Sequence, residues 1–312
     1  MAATMPSRSV IENMRLFPLL LLLCALIFFC WREGPDLWHY QEWAEALLRE
    51  SAVSLSSAIV SPSGMPVSHW APGTGVVLGI FHLLYPTCFS PSLSAGCVGV
   101  ALFLISSLSL WGILDAIQLE HGLKLLTYSL FLAGTNFGYY FLYLSSEAVT
   151  SAVIMSLSWL VLTKKTNQLS SAVAVAVGSC ILITSRPQAV LALIPILGVF
   201  AWRELQKRDL RQSLIFFGII GIGSCVGLLQ VLQVNQWMTG NWFHSPLYFG
   251  DNTFHSLGYP TFAAAVKVLL SYKHGVGVLI FTPLVGFAFF ASLGLSFRKS
   301  LPVEWRLFFG LS

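Results

Sequence analysis

Leu93-Ser-Ala-Gly-Cys-Val-Gly-Val-Ala-Leu-Phe-Leu-Ile-Ser-Ser-Leu-Ser-Leu-Trp-Gly-Ile-Leu114 contains no charged side chain. A helix needs roughly 17–25 apolar residues to cross a hydrocarbon core of about 30 Å, and this stretch has that length. Working outward, comparable segments recur at Leu16–Trp31, Leu125–Leu144, Ala148–Leu162, Leu169–Thr184, Ala189–Trp202, Leu214–Val234 and Val276–Leu295. Several are short and borrow flanking residues. Composition agrees: the chain is 56% hydrophobic and 10% charged, against about 25% charged for soluble domains. The fold class expected is all-α, a polytopic transmembrane helical protein of about 8 spans, forming one integral-membrane domain over residues 1–312. Leu16–Trp31 follows Arg8 and Arg15 without a small-x-small cleavage site, which reads as a retained signal-anchor helix.

Charge placement sets the expected topology. With the N-terminus in the cytoplasm and sides alternating, twelve cations fall inside: Arg8, Arg15, Lys124, Lys164, Lys165, Arg203, Lys207, Arg208, Arg211, Arg298, Lys299 and Arg306. Five fall outside: Arg32, Arg49, Arg186, Lys267 and Lys273. That is a positive-inside bias. Counting Gly73–Tyr85 as a further span would invert it, so this segment is expected to be an interfacial helix. The outer side then holds two long loops, residues 32–92 and 235–275, and six of the seven histidines. Loops of such length within a compact fold are usually functional.

Several chemistries are disfavoured. Cys24, Cys30, Cys88, Cys97, Cys180 and Cys225 show neither CxxC nor metal-ligand spacing, so neither a disulfide framework nor zinc is indicated. No P-loop, GxGxxG, GxSxG or HExxH occurs. Intramembrane charge is scarce, which weakens an ion-coupled transporter. The +4 net charge reflects topology rather than nucleic-acid binding. No cofactor is indicated, and a divalent metal is left open.

The candidate residues lie on the outer side. Asp36 opens Asp36-Leu-Trp-His-Tyr-Gln-Glu-Trp-Ala-Glu-Ala-Leu-Leu-Arg-Glu50, in which Leu37, Tyr40, Ala44, Leu47 and Leu48 share a helical face. Asp36 is either an N-cap or a base at the membrane surface, and the two roles are compatible. Glu147 begins the fourth span, as a first-turn acid favoured by the helix dipole or as a second functional acid. Arg186, in Thr184-Ser-Arg-Pro-Gln188, either snorkels to headgroups or grips a phosphate. Lys273 and His274 have the same two readings, and Asp251 is a turn acid or a site acid.

The order of these elements resembles the C-type superfamily of integral-membrane glycosyltransferases, in particular its protein O-mannosyltransferase and lipid A aminoarabinose transferase branch. The matching residues are Asp36, Tyr40, Ala44 and Leu47-Leu48, then His69-Trp-Ala-Pro72-Gly73, then Glu147, then Thr184-Ser-Arg186-Pro187. Phe243-His-Ser-Pro-Leu-Tyr-Phe-Gly250 and Ser271-Tyr-Lys273-His-Gly275 with Phe281-Thr-Pro283 complete the series. The chain departs from the family in three ways: Glu33 and Asp36 are not adjacent, Ser185 splits the T-R-P turn, and the family's C-terminal spans are missing.

The resemblance implies transfer of a sugar from a polyprenyl-phosphate donor to a lipid, glycan or protein acceptor on the periplasmic or luminal face, with inversion. It implies Asp36 and Glu147 as catalytic, and Arg186 and Lys273 as ligands of the donor phosphate. His69, His244, Asp251 and His274 would contact substrate. The expected location is the bacterial inner membrane, with membrane lipids as surroundings. The alternatives are a transporter or flippase of lipid-linked sugars, or an inactive truncated homologue.

Overall fold

The structure, a computed structural model, describes residues 20–26, 28, 59–60, 66–67, 73–84, 91–134, 141, 144–163, 168–206, 210–243, 292–297, 299 and 301–311. Apart from a short antiparallel pairing of β1 (Ile59–Val60) with β2 (Pro66–Val67), its regular elements are helical. The helices are α1 (Gly73–Leu84), α2 (Pro91–Ala116), α3 (His121–Gly134), α4 (Ser146–Thr163), α5 (Gln168–Ser185), α6 (Leu193–Gln206), α7 (Leu210–Thr239) and α8 (Val303–Leu311). A 3-10 helix, Pro187–Ala192, leads into α6.

Among the described residues, three helices are long and apolar enough to cross a membrane: Ala95–Ala116 of α2, Ser146–Thr163 in α4 and Arg211–Gln236 of α7. Leu169–Ser185 and Ala189–Arg203 are shorter apolar helices. Gly73–Leu84, expected to lie in the interface, is a short helix of 12 residues. α7 runs past residue 235, where the second long loop was expected to begin, and ends at Thr239. There Gly240 adopts a left-handed φ of 72° and donates its N–H to the Gln236 carbonyl at 3.0 Å. Glycine suits such a terminus because it has no Cβ to clash.

The described residues form two compact units. The first takes them from Met1–Leu55, Ala71–Trp159 and Ile181–Pro187; the second from Ser56–Trp70, Leu160–Cys180 and Gln188–Ser312.

In the first unit, α2 packs against α1 and α3. A tight turn joins α2 to α3, with Gln118 at φ 58° and its N–H on the Asp115 carbonyl at 3.0 Å. Across that turn Lys124 pairs with Asp115 and sits 3.5 Å over the Trp111 ring. Trp111 meets Tyr128 edge-on at 5.3 Å. Burying a lysine is costly unless it is paired, and here the carboxylate and the ring face together compensate Lys124, which is 5% exposed.

α2 and α4 run parallel in a constant register. Ser109 Oγ lies 3.3 Å from Ser156 Oγ, and one turn further on Gly112 abuts the Trp159 indole. Small residues at such a seam let two helices approach closely in lipid, where packing rather than hydrophobic burial holds them together. Near the other end of α2, Gly99 lies against the Phe141 carbonyl, and Phe103 and Phe141 form an edge-to-face pair at 5.5 Å.

In the second unit, α8 packs on α6, with Leu311 seated against Gly198. α7 rests on α5 through Gly223 and Ala176, and on α6 through Phe200 and Phe217 at 6.3 Å. Arg203 donates to the Val161 carbonyl and, at 3.2 Å, to the Leu162 carbonyl. It thereby satisfies two acceptors that the end of α4 leaves unpaired. Its Nε also lies 3.8 Å from Glu304 of α8. The residues after Arg306, too few to span a membrane, continue this docked helix to Leu311.

Candidate functional site

Glu147 is placed by the turn before α4. Leu144 is fully buried and adopts a left-handed φ of 43°, a conformation uncommon for a bulky side chain. The Ser145 carbonyl then accepts the Ala148 N–H at 3.0 Å, opening the helix. Glu147 falls in the first turn, where the helix dipole favours a carboxylate. Ser146, itself buried, brings its hydroxyl to 3.3 Å from Glu147 Oε2.

Arg186 is placed by the end of α5. Its backbone N–H donates to the Leu182 carbonyl at 2.8 Å, and Pro187 follows as the first residue of the 3-10 helix. A cation at a helix C-terminus is again on the favoured side of the dipole. The guanidinium reaches across and forms an ion pair with Glu147 Oε1. The two side chains, 39 positions apart in sequence, therefore meet as charges of opposite sign at two helix ends.

The pair is partly exposed, with the Arg186 side chain 43% and the Glu147 side chain 31% accessible. Exposed pairs contribute about 0–1 kcal/mol to stability, so folding alone gives little reason for this one. Arg186 offers five N–H donors in a fixed fork, and the carboxylate of Glu147 does not exhaust them.

Gly73 begins α1 against the same end of α5. A Cβ placed on Gly73 would lie 2.5 Å from Ser185 Oγ and 2.6 Å from the Thr184 carbonyl carbon, inside contact distance. Only glycine permits this backbone approach. Three of the segments singled out in the sequence therefore converge: the Gly73 end of the His69–Gly73 element, Glu147 and Arg186. No protein-family model, no curated protein and no solved structure matches the chain.

The remaining candidates, Asp36, His69, His244, Asp251, Lys273 and His274, lie outside the described residues. Among the described residues no group of His, Cys, Asp or Glu is arranged to hold a metal ion. The structure adds weight to Thr74, which the sequence did not single out, and to Ser185, which stood there only as the residue splitting the T-R-P turn. Thr74 is 1% and Ser185 is 3% exposed, and the hydroxyl of each is buried without a hydrogen-bond partner. Hydroxyls are common in apolar helices, and nothing in the sequence marked these two as ligands.

Proposed function

We propose that this chain is an integral-membrane glycosyltransferase of about eight spans, moving a sugar from a polyprenyl-phosphate donor to an acceptor on the outer face of a bacterial inner membrane. The observation that carries this reading is the Glu147–Arg186 pair, a half-buried acid and cation held at the ends of two apolar helices. Its support in the sequence is the order of Asp36, Gly73, Glu147, Arg186 and Lys273, which follows the family pattern.

The acceptor hydroxyl gives its proton to Asp36 as its oxygen bonds to the anomeric carbon. The bond from that carbon to the phosphate oxygen breaks in the same displacement, and its electron pair leaves on the polyprenyl phosphate. One in-line step inverts the carbon. Arg186 and Lys273 face the charge developing on the leaving phosphate, where preorganised cations act most strongly. Glu147 holds the guanidinium in place and orients the acceptor. His69, His244, Asp251 and His274 contact the sugar or the acceptor. A transporter reading has less support, since charged side chains are scarce within the apolar segments.

The test is transfer from a labelled polyprenyl-phosphate sugar by purified protein in nanodiscs, comparing wild type with Asp36→Asn. Asparagine keeps a competent N-cap, whereas a general base contributes about 10²–10⁴-fold. The expected result is normal expression and donor binding, with transfer reduced by that factor. Wild-type transfer in Asp36→Asn would remove Asp36 from the mechanism, and no transfer by wild type to any membrane acceptor would remove the function itself.

A further inference from the structure

We propose that the first turn of α1 and the end of α5 form a phosphate subsite, in which Thr74 and Ser185 donate their hydroxyls beside the α1 amides and Arg186. The inference rests on the glycosyltransferase reading only for the identity of its natural ligand, the phosphate of the lipid-linked donor.

α1 is a helix of 12 residues whose first turn contains no acidic side chain. Its opening residues Gly73, Thr74 and Gly75 are all buried. The first N–H groups of a helix have no partner within it, and together with the dipole they favour an anion. A helix start is common, and by itself it indicates nothing about ligands. Here two further donors are built against it. Thr74 Oγ1 is buried in the first turn itself without a partner. Ser185 Oγ is equally buried and unpartnered, and it points at the α1 start, 2.5 Å from where a Gly73 Cβ would stand. The next residue along the chain is Arg186.

Leaving a buried hydroxyl unsatisfied is unfavourable, and here one lies in the first turn of α1 and one against its start. An occupant has to suit the whole set. Amides and guanidinium only donate, and both hydroxyls are able to turn and donate. A tetrahedral oxyanion supplies several lone pairs to such a set of donors. The hydroxyls are closed to solvent in this structure, so the anion enters as the first turn of α1 draws back from Ser185. Ser185 is also the residue that splits the T-R-P-like turn, a departure from the family pattern that gains a role here.

The experiment uses the full chain in phosphatidylcholine nanodiscs. Binding of farnesyl phosphate and of inorganic phosphate is measured by titration, with phosphatidylglycerol nanodiscs as the third arm. Wild type is compared with Thr74→Val, Thr74→Ser and Ser185→Ala. Losing one hydrogen bond to a charged group weakens binding by about tenfold or more. Farnesyl phosphate should therefore bind about tenfold more weakly to Thr74→Val and to Ser185→Ala, while Thr74→Ser stays near wild type. A matching loss for inorganic phosphate assigns recognition to the phosphate group rather than the chain. Competition by phosphatidylglycerol alone would identify a headgroup site and overturn the donor assignment.

Unchanged affinity in both variants overturns the subsite, even where sugar transfer is intact and the glycosyltransferase reading stands. Weakened phosphate binding without any sugar transfer by wild type keeps the subsite and removes the glycosyltransferase reading. Should Ser185→Ala fail to fold, Thr74→Val against Thr74→Ser decides the matter alone.

Discussion

Replacing Arg186 with alanine separates a stabilising contact from a chemical one. The guanidinium is 43% exposed and its partner Glu147 31% exposed, so solvent screens the pair and its loss should cost at most about 1 kcal/mol of stability. A cation facing a developing phosphate charge has a much larger effect. Removing one preorganised donor from such a position costs about 2.7–4 kcal/mol of barrier, roughly 10²–10³ in turnover. The two effects therefore separate in paired assays, with transfer from a labelled polyprenyl-phosphate sugar measured beside thermal unfolding in detergent. Arg186→Ala should lose turnover by that factor and raise the apparent KM for donor, with little change in midpoint. Arg186→Lys should recover only part, because a point charge does not reproduce the bidentate fork. Glu147→Gln should leave unfolding nearly unchanged and lower turnover by a smaller factor, as the guanidinium loses its anchor. The reasoning fails if Arg186→Ala unfolds at a much lower temperature while the protein that stays folded turns over at the wild-type rate.

Cysteines introduced within Glu50–Gly64 and Thr239–Thr253 should label from outside the cell, and those within Thr166–Ser170 and Leu205–Gln212 should not; the reverse pattern would invert the proposed topology. Gly112→Ala forces a methyl group into the Trp159 indole, so it should destabilise by about 1–3 kcal/mol, read as a lower unfolding midpoint, with no change if the seam opens freely. Arg203→Ala removes two bonds to the last carbonyls of α4 and the partner of Glu304. It should lower stability by about 1–3 kcal/mol and expose α8 to proteolysis, while Arg203→Met, which keeps the stem but not the fork, should behave alike.

The apolar segments were legible because lipid demands long uncharged helices, and the starts and ends of α2, α4 and α5 lie close to the expected ones. Less legible were the helix ends that borrow polar residues. α7 runs on through Asn235 to Thr239 because it ends at a glycine cap, a signal that hydropathy does not register. Glu147 and Arg186 were each visible as a lone charge beside a span, with a bland reading attached. Their pairing was not visible, since it depends on the Leu144 turn and on the antiparallel ends of α4 and α5. Thr74 and Ser185 were hidden for a simpler reason. Their distinction is the absence of a partner, and that exists only once neighbours are in place.

Arg203 has two successive tasks on the proposed topology, and they draw on different properties of one side chain. During insertion only its sign matters, because a nascent helix is oriented by the charges flanking it. After folding its shape matters, as a planar donor reaches around the carbonyls of Val161 and Leu162. Lysine would serve the first task and fail the second, giving a protein that enters the membrane the right way round and then assembles poorly. Such a variant would be sorted with misfolded chains, although every topology reporter scored it as normal.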